Sequence, residues 1–562
     1  MTATNQFDAI VVGSGITGGW AAKELTEKGL KVLMIERGRL VEHVKDYVTE
    51  HKAPWELPFR GAGDKRRYRE EYPIQSQHFL FNEYTEHFFV NDKDAPYVAP
   101  PERPFTWFRG HQLGGRSLTW GRHTYRLSEM DFNANKADGH GIDWPIRYKD
   151  LAPWYDHVEQ FIGVSGKAEG LGQLPDGKFL PPMELNCVEQ HFKESVEQAF
   201  GNRTVTIGRV AVLTKPHNGR ASCHYCGPCE RGCSAGAYFS TQSSTLPAAQ
   251  KTGNLTVVTD LIVERLETDA AEQRITGVAV IDANTGQRRI YKGRIVFLCA
   301  SALASTQILL NSRSQQSPTG LANSSGVLGH YLMDHGFVMN AFATVPGFED
   351  RYYTGNRPNS MYIPRFRNID EAEQGFVRGY GYQGLAWRSG WQRGIQTPGF
   401  GKALKDDLRQ PGPWMMMLGS FVECLPRRGN TALLDEHKCD KWGVPQLKIE
   451  FSHGQNEQKL AEDATAQAVA MLNSAGAKVL HSTAEIAPGG AAIHEMGTAR
   501  MGNDPRESVL NAFNQSHDVA NLFVTDGASM TSSACQNPSL TYMALTARAC
   551  HYAVEQFRAG TL

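Results

Sequence analysis

Four cysteines fall within one short run, Ser222-Cys223-His224-Tyr225-Cys226-Gly227-Pro228-Cys229-Glu230-Arg231-Gly232-Cys233, in the spacing C-x2-C-x2-C-x3-C. Short links rich in Gly and Pro let successive thiolates point inward, which is how ferredoxin-type loops wrap an iron–sulfur cluster. The ferredoxin run ends Cys-Pro, whereas Ser234 follows Cys233 here. The competing reading is a four-cysteine zinc site, although zinc ribbons usually set two C-x2-C pairs well apart. A set of free buried thiols is the bland alternative. An iron–sulfur loop is the expectation.

A second constellation opens the chain. Phe7-Asp8-Ala9-Ile10-Val11-Val12 is a nearly continuous apolar run, as a buried parallel strand requires. It enters Gly13-Ser14-Gly15-Ile16-Thr17-Gly18 and then a helical pattern carrying Ala21, Ala22 and Leu25. Gly29 closes that helix, and Lys31 to Ile35 makes a second strand ending at Glu36 and Arg37. Gly13 permits the turn, Gly15 admits a pyrophosphate, and Gly18 lets helix and strand pack closely. Glu36 stands where a carboxylate accepts from ribose hydroxyls, which disfavours a 2′-phosphate and so NADP. This is a dinucleotide site. A flavin takes two electrons from an organic substrate and releases them singly, so an iron–sulfur loop in the same chain favours FAD over NAD.

The third constellation is C-terminal. Ile493-His494-Glu495-Met496-Gly497-Thr498 begins like H-E-x-x-H, but Thr498 replaces the second His and excludes a zincin. Leu522 to Val524 reads as a strand running into Asp526-Gly527, and Ser533-Ala534-Cys535-Gln536-Asn537-Pro538 precedes an apolar helix.

The elements that must position these residues belong to an ordinary globular chain of 562 residues, 41% hydrophobic and 21% charged. With 58 Lys+Arg against 59 Asp+Glu the net charge is −1, which excludes nucleic-acid binding through bulk positive charge. Met1 to Gln6 offers no basic region or twin Arg before the first apolar run, so no export signal is read there. The longest apolar stretch, Ile295 to Leu310, is broken by Ser301, Ser305, Thr306 and Gln307, so no direct membrane span is expected. Trp414 to Leu418 reads as a core strand, Arg427-Arg428 as a solvated turn, and 54–69 and 388–413 as long loops covering the site.

Together these motifs resemble the glucose–methanol–choline (GMC) oxidoreductases, FAD enzymes that oxidise alcohols. The resemblance spans the chain: the N-terminal fingerprint, Gly114-Gly115-Arg116-Ser117 with Thr119, Trp120 and Gly121, Ala300 to Asn311, Gly329 to His335, and both C-terminal segments. It implies catalytic roles for His494 and Asn537. It also implies cofactor contacts from Gly114, Gly115, Ser117, Thr119, Trp120, Asp526, Gly527, Asn537 and Pro538, beside Gly13, Gly15, Ile16, Thr17, Gly18, Glu36 and Arg37. Thr119 stands where some members carry a flavin-linked His, so noncovalent FAD is implied. His111, His123, His330 and His335 are read as core or cofactor-packing residues.

The cysteine loop narrows the resemblance to the bacterial iron–sulfur subgroup, which includes glucoside 3-dehydrogenases and gluconate 2-dehydrogenases. The subgroup's three-iron (3Fe-4S) ligation maps onto Cys223, Cys229 and Cys233. Cys226 is then a bystander, or the fourth ligand of a 4Fe-4S cluster. The implied fold is an α/β chain: a Rossmann-like FAD-binding lobe with an antiparallel-sheet α+β substrate lobe. The expected division is FAD lobe at 1–135, connecting segment at 136–204, and FAD lobe with the cysteine loop at 205–335. The substrate lobe follows at 336–488 and the catalytic C-terminal part at 489–562, with Met415 to Glu423 and Pro445 to Phe451 as substrate-lobe strands. The implied activity is oxidation of a secondary hydroxyl of a sugar or glycoside, C3 of a glucoside first. A gluconate 2-dehydrogenase-like or other polyol activity is the alternative, and an oxygen-reducing pyranose oxidase a further one. Implied partners are a small subunit carrying the export signal and a cytochrome c or other acceptor. The location is periplasmic by co-export, or cytoplasmic.

Overall fold

The computed structural model describes residues 6–369, 375–395 and 397–562. The leader reading of Met1 to Gln6 thus falls outside the described residues except at Gln6, and so does residue 396 of the 388–413 stretch.

Two sheets organise the chain. The first is parallel where it matters, with strands in the order Leu255–Val258, Val32–Ile35, Gln6–Val12, Arg288–Leu298 and Leu522–Val524. These strands are apolar runs because both of their faces are buried. Ile16–Glu27 and Ser539–Ala559 share one core through Ala21, Leu25, Ala549 and Ala553. The register aligns Val12 with Ile35 and Leu298, and Leu298 with Val524. The strands therefore end together, and Gly13, Glu36, Cys299 and Asp526 emerge at one rim. Ligands of open α/β sheets bind at such a rim.

The second sheet is antiparallel, in the order Lys478–Ser482, Gly336–Val345, Trp414–Val422, Tyr380–Arg388, Met361–Ile363 and Thr206–Ile207. The helix Gln455–Ser474 buries Leu460, Ala464 and Met471 against one face of it. Arg378 ties the lobes together, reaching Glu423 at 2.7 Å and Asn135 at 2.8 Å and pairing with Asp138.

Three local readings change. Pro445–Glu450 is a strand, but it pairs with Thr431–Cys439 in a separate two-stranded hairpin. Its Leu447 and Ile449 join the core of the first lobe, because a two-stranded ribbon has no core of its own. The 388–413 stretch contains a helix, Gly401–Arg409, and 54–69 runs into another, Lys65–Glu71, capped by Asp64. Arg427 is no solvated turn residue: its guanidinium pairs at 2.5 Å with Glu457, a carboxylate wholly buried at the start of the long helix.

Candidate active site

A long cavity begins at the first-sheet rim and ends at His494 and Asn537. Its first part fits a dinucleotide. Gly13 turns with φ +92°, and a side chain on Gly18 would stand 2.0 Å from the Gly13 carbonyl. A side chain on Gly15, by contrast, would meet nothing within 4 Å. That open space lies at the start of Ile16–Glu27, whose N-cap Gly15 makes no side-chain cap and whose first turn holds no acid. The free amides and the helix dipole suit a pyrophosphate. Glu36 accepts from Ser14 N at 3.1 Å, Gly38 N at 2.8 Å and the Ser14 hydroxyl. A carboxylate offers about four lone-pair sites, so one remains for a ribose hydroxyl. Burial raises the Glu36 carboxyl, and these donors oppose it. The residues fit FAD.

Among the residues expected at the cofactor, Gly13, Gly15, Ile16, Thr17, Glu36, Arg37, Gly115, Ser117, Thr119, Trp120, Asp526, Gly527, Asn537 and Pro538 line this cavity. Gly18 and Gly114 do not: Gly18 packs on Gly13, and Gly114, at φ +88°, donates its N–H to the Ser14 hydroxyl at 2.8 Å. Both shape the walls from behind. Asp526 accepts from Ala528 N and the Ser305 hydroxyl, and caps its own turn.

At the far end, two neighbours on the Gly329–His335 segment fix His494. Asp334, fully buried, accepts from the backbone N–H of Gly490, Ala492 and His494 at 2.7, 3.3 and 3.0 Å. It holds a turn in which Ile493 has φ +59°. His335 fixes the ring. Its Nε2 lies 2.8 Å from the Ala534 carbonyl and its Nδ1 lies 2.9 Å from His494 Nδ1. A carbonyl only accepts, so His335 Nε2 carries the proton and, in the neutral ring, His335 Nδ1 accepts. His494 Nδ1 must then donate, which leaves His494 Nε2 with its lone pair. Asn537 Nδ2 lies 3.1 Å from that nitrogen, and Asn537 Oδ1 accepts from Gln383 Nε2 at 2.6 Å. Every donor from Gln383 to Ala534 points the same way.

Electrostatics keep this imidazole neutral. Burial pushes the His494 imidazole well below its ordinary value, and His335, Arg116 and His123 add to the push. Burial likewise lowers His335 to about 4. Arg116 is itself held by Glu495 at 2.6 Å and by the Phe108 carbonyl at 3.1 Å. His335, read as a core or cofactor-packing residue, is buried and also orients the His494 ring. Asp334, Gln383 and Glu495 had no role assigned from the sequence.

The cysteine loop behaves differently. Cys223, Cys229 and Cys233 are half-buried and Cys226 is exposed. Gly227 at φ +105° and Gly232 at φ +111° turn the loop. Burial raises the Cys223 thiol and pushes Cys229 up to about 11. Among the described residues, no three His, Cys, Asp or Glu side chains converge as the ligands of a metal ion must. The four expected ligands Cys223, Cys226, Cys229 and Cys233 thus share one loop without forming a ligand cluster, and Cys226 faces solvent. The loop does adjoin the cavity wall. Arg122, a lining residue, donates to the Cys229 carbonyl at 2.6 Å and lies 4.1 Å over the Tyr238 ring.

Comparison with known proteins agrees with this geometry. The chain is 29% identical to 2-methyl-1,2-propanediol dehydrogenase of Mycolicibacterium austroafricanum, covering 99% of this chain and 96% of that protein. It is 25% identical to the fructose dehydrogenase large subunit of Gluconobacter japonicus, covering 98% of each. A single-substitution variant of formate oxidase from Aspergillus oryzae RIB40 shares the fold with a TM-score of 0.65 at 14% identity, over 100% of both chains. The GMC oxidoreductase family is matched by its N-terminal part over residues 7–336 and by its C-terminal part over 426–546. With the dinucleotide cradle in the first of these regions and His494 in the second, this chain is a member of the GMC oxidoreductase family.

Proposed function

We propose that the protein is an FAD-dependent dehydrogenase of alcohols in the sugar and polyol class. One observation carries the reading: the one-way hydrogen-bond chain that leaves His494 Nε2 unprotonated beside the Asn537 amide. FAD, when bound, supplies the acceptor for the hydride leaving the alcohol carbon. A substrate hydroxyl replaces the direct contact between the two side chains. It donates to His494 Nε2 and accepts from Asn537 Nδ2, so proton removal and support of the developing alkoxide come from one pair. As Nε2 takes the proton, the Nδ1 proton moves toward His335 Nδ1 and the charge spreads over two rings.

The finer assignment is a secondary hydroxyl oxidised to a ketone, at C3 of a glucoside, with a gluconate 2-dehydrogenase-like activity as the alternative. It rests on the cysteine-loop resemblance. The same spacing supports an iron–sulfur cluster in the loop. Cys223, Cys229 and Cys233 would be its three-iron ligands, since Cys226 is the exposed thiol. Proton removal by His494 does not depend on that cluster. A relative named as a large subunit supports assembly with a smaller subunit and an electron acceptor such as a cytochrome. Co-export with such a subunit would place the enzyme in the periplasm. Anaerobic flavin reduction by glucose, glucosides, gluconate and vicinal diols tests the function, with peroxide measured in air. Bleaching by one class assigns the substrate, and bleaching by none refutes the proposal.

A further inference from the structure

The antiparallel sheet has two unlike faces. Along Gly336–Val345, Tyr380–Arg388 and Trp414–Val422 burial alternates, apart from a bulge after Val338 and the buried glycines Gly381 and Gly419. One set, including Ala343, Tyr382 and Leu418, is buried under the helix Gln455–Ser474. The other set, apart from these two glycines, is only half-buried, and its inner end reaches the reaction centre. Gln383 belongs to it and donates to Asn537, and Phe421 belongs to it with its ring 5.2 Å from that of His494.

The register orders this face in rows. Gly419 lies opposite Gln383 and contributes no side chain. The next row outward is Leu385, Met417 and Phe342, and the one beyond is Trp387, Met415 and Thr344. All six are half-buried. Gln383 to Trp387 spans about 13 Å along the strand. No charged side chain lies on these rows, and beyond Gln383 the hydroxyl of Thr344 and the indole N–H of Trp387 are their only polar side-chain groups. Charge returns at the edge strand, where Lys478 pairs with Thr344 and exposed His481 with Phe342.

We propose that this face is a substrate subsite for the apolar branch of the alcohol, an alkyl or aryl group attached to the hydroxyl-bearing head. The inference rests on the function proposed above and adds the chemistry of the substrate's far side. The face begins beside the catalytic pair, so whatever the reacting carbon carries in this direction must lie on it. Hydroxyls pressed against Leu385 and Met417 would lose water and gain no partner. Methylenes gain instead, up to about fourfold in kcat/KM for each one buried. Methionine side chains adapt to branches of different shape.

The test uses the FAD-loaded enzyme and one homologous series, methyl, butyl and octyl glucosides, with a parallel series of alkyl 1,2-diols. Anaerobic stopped-flow reduction gives Kd and the limiting rate separately. The expected result is a Kd that falls at least tenfold from methyl to octyl in the series that bleaches the flavin, with little change in limiting rate. Met417→Gln and Met415→Gln, checked for FAD content and Tm, should flatten that dependence, Met415→Gln only for the longest members. Flavin bleaching with equal Kd across both series overturns the subsite and leaves the function standing. Bleaching by no alcohol removes both. Dimerisation abolished by Met417→Gln would assign the face to a second copy and also overturn the proposal.

Discussion

His335 and His494 face each other through their Nδ1 atoms at 2.9 Å, and the Ala534 carbonyl behind His335 decides which ring donates. Replacing His494 by Ala removes the base, and flavin reduction should slow by about 10²–10⁴-fold. Stopped-flow measurement of that step checks it; an unchanged rate would remove His494 from the mechanism.

His335 acts through His494 and is a positioning residue. His335→Leu leaves His494 Nδ1 without an acceptor in a buried site, so its tautomer is no longer set, and a loss of about tenfold to hundredfold is expected. His335→Gln can offer its amide oxygen in the same place and should recover most of the rate. Equal damage in both variants would argue for simple packing.

The pH dependence has a definite sign. With His494 held well below its ordinary value, kcat/KM should stay level from about pH 8 down through about 6.5 and fall only in more acid solution. Stability follows the same groups. His335, fully buried, and His123, half-buried, are both lowered to about 4 from 6.5 and bind fewer protons folded than unfolded below pH 6.5. Their contribution is complete above about 6.5 and is lost as pH falls toward about 4, about 3 kcal/mol for His335 and less for the more exposed His123. Denaturant unfolding of wild type and His335→Gln at about pH 7 and about pH 4.5 measures it, with a smaller difference expected in the variant.

Asp334 accepts three buried backbone amides, so Asp334→Ala leaves all three unpaired. A destabilisation of about 3 kcal/mol or more should follow, together with slower flavin reduction, because the amide of His494 itself is one of the three. Thermal unfolding and stopped-flow reduction of the same preparation would show whether the two losses travel together.

The glycine cradle gives a cleaner loss. Gly18→Ala drives a methyl group onto the Gly13 carbonyl, and the variant should purify with little FAD. The cysteine loop is checked by iron and sulfide analysis. Cys226→Ser should keep the wild-type content, and Cys229→Ser should lose it. The reverse order would make the exposed thiol a ligand.

The first strand, glycine turn, helix and acid were legible because they lie within residues 7–36 and each sets the next locally. His494 and Asn537 were legible as motif residues. Their supports were not. Gln383 meets Asn537 across 154 residues, and His335 meets His494 across 159. No local pattern marks such contacts. Arg427 misled for the same reason, since Glu457 lies 30 residues away beyond the hairpin and only the fold brings the charges together. The hairpin Thr431–Cys439 with Pro445–Glu450 has strand-like sequence, but which core receives it depends on what else needs covering. Trp414–Val422 was recognised as a strand without a sign that Met416 faces the core while Met415 and Met417 lie half-buried on the other face.

The direction of the hydrogen-bond chain originates in a main-chain atom. Every residue has a carbonyl, so no substitution at residue 534 deletes the acceptor; it can only be re-aimed, and Ala534 aims it from φ +52°. The basicity of His494 is thus anchored in backbone shape and insulated from side-chain chemistry on the substrate sheet. Gln383, Met417 and their neighbours can be exchanged to suit a new alcohol without unsetting the base. The scaffold separates what is oxidised from how the proton leaves.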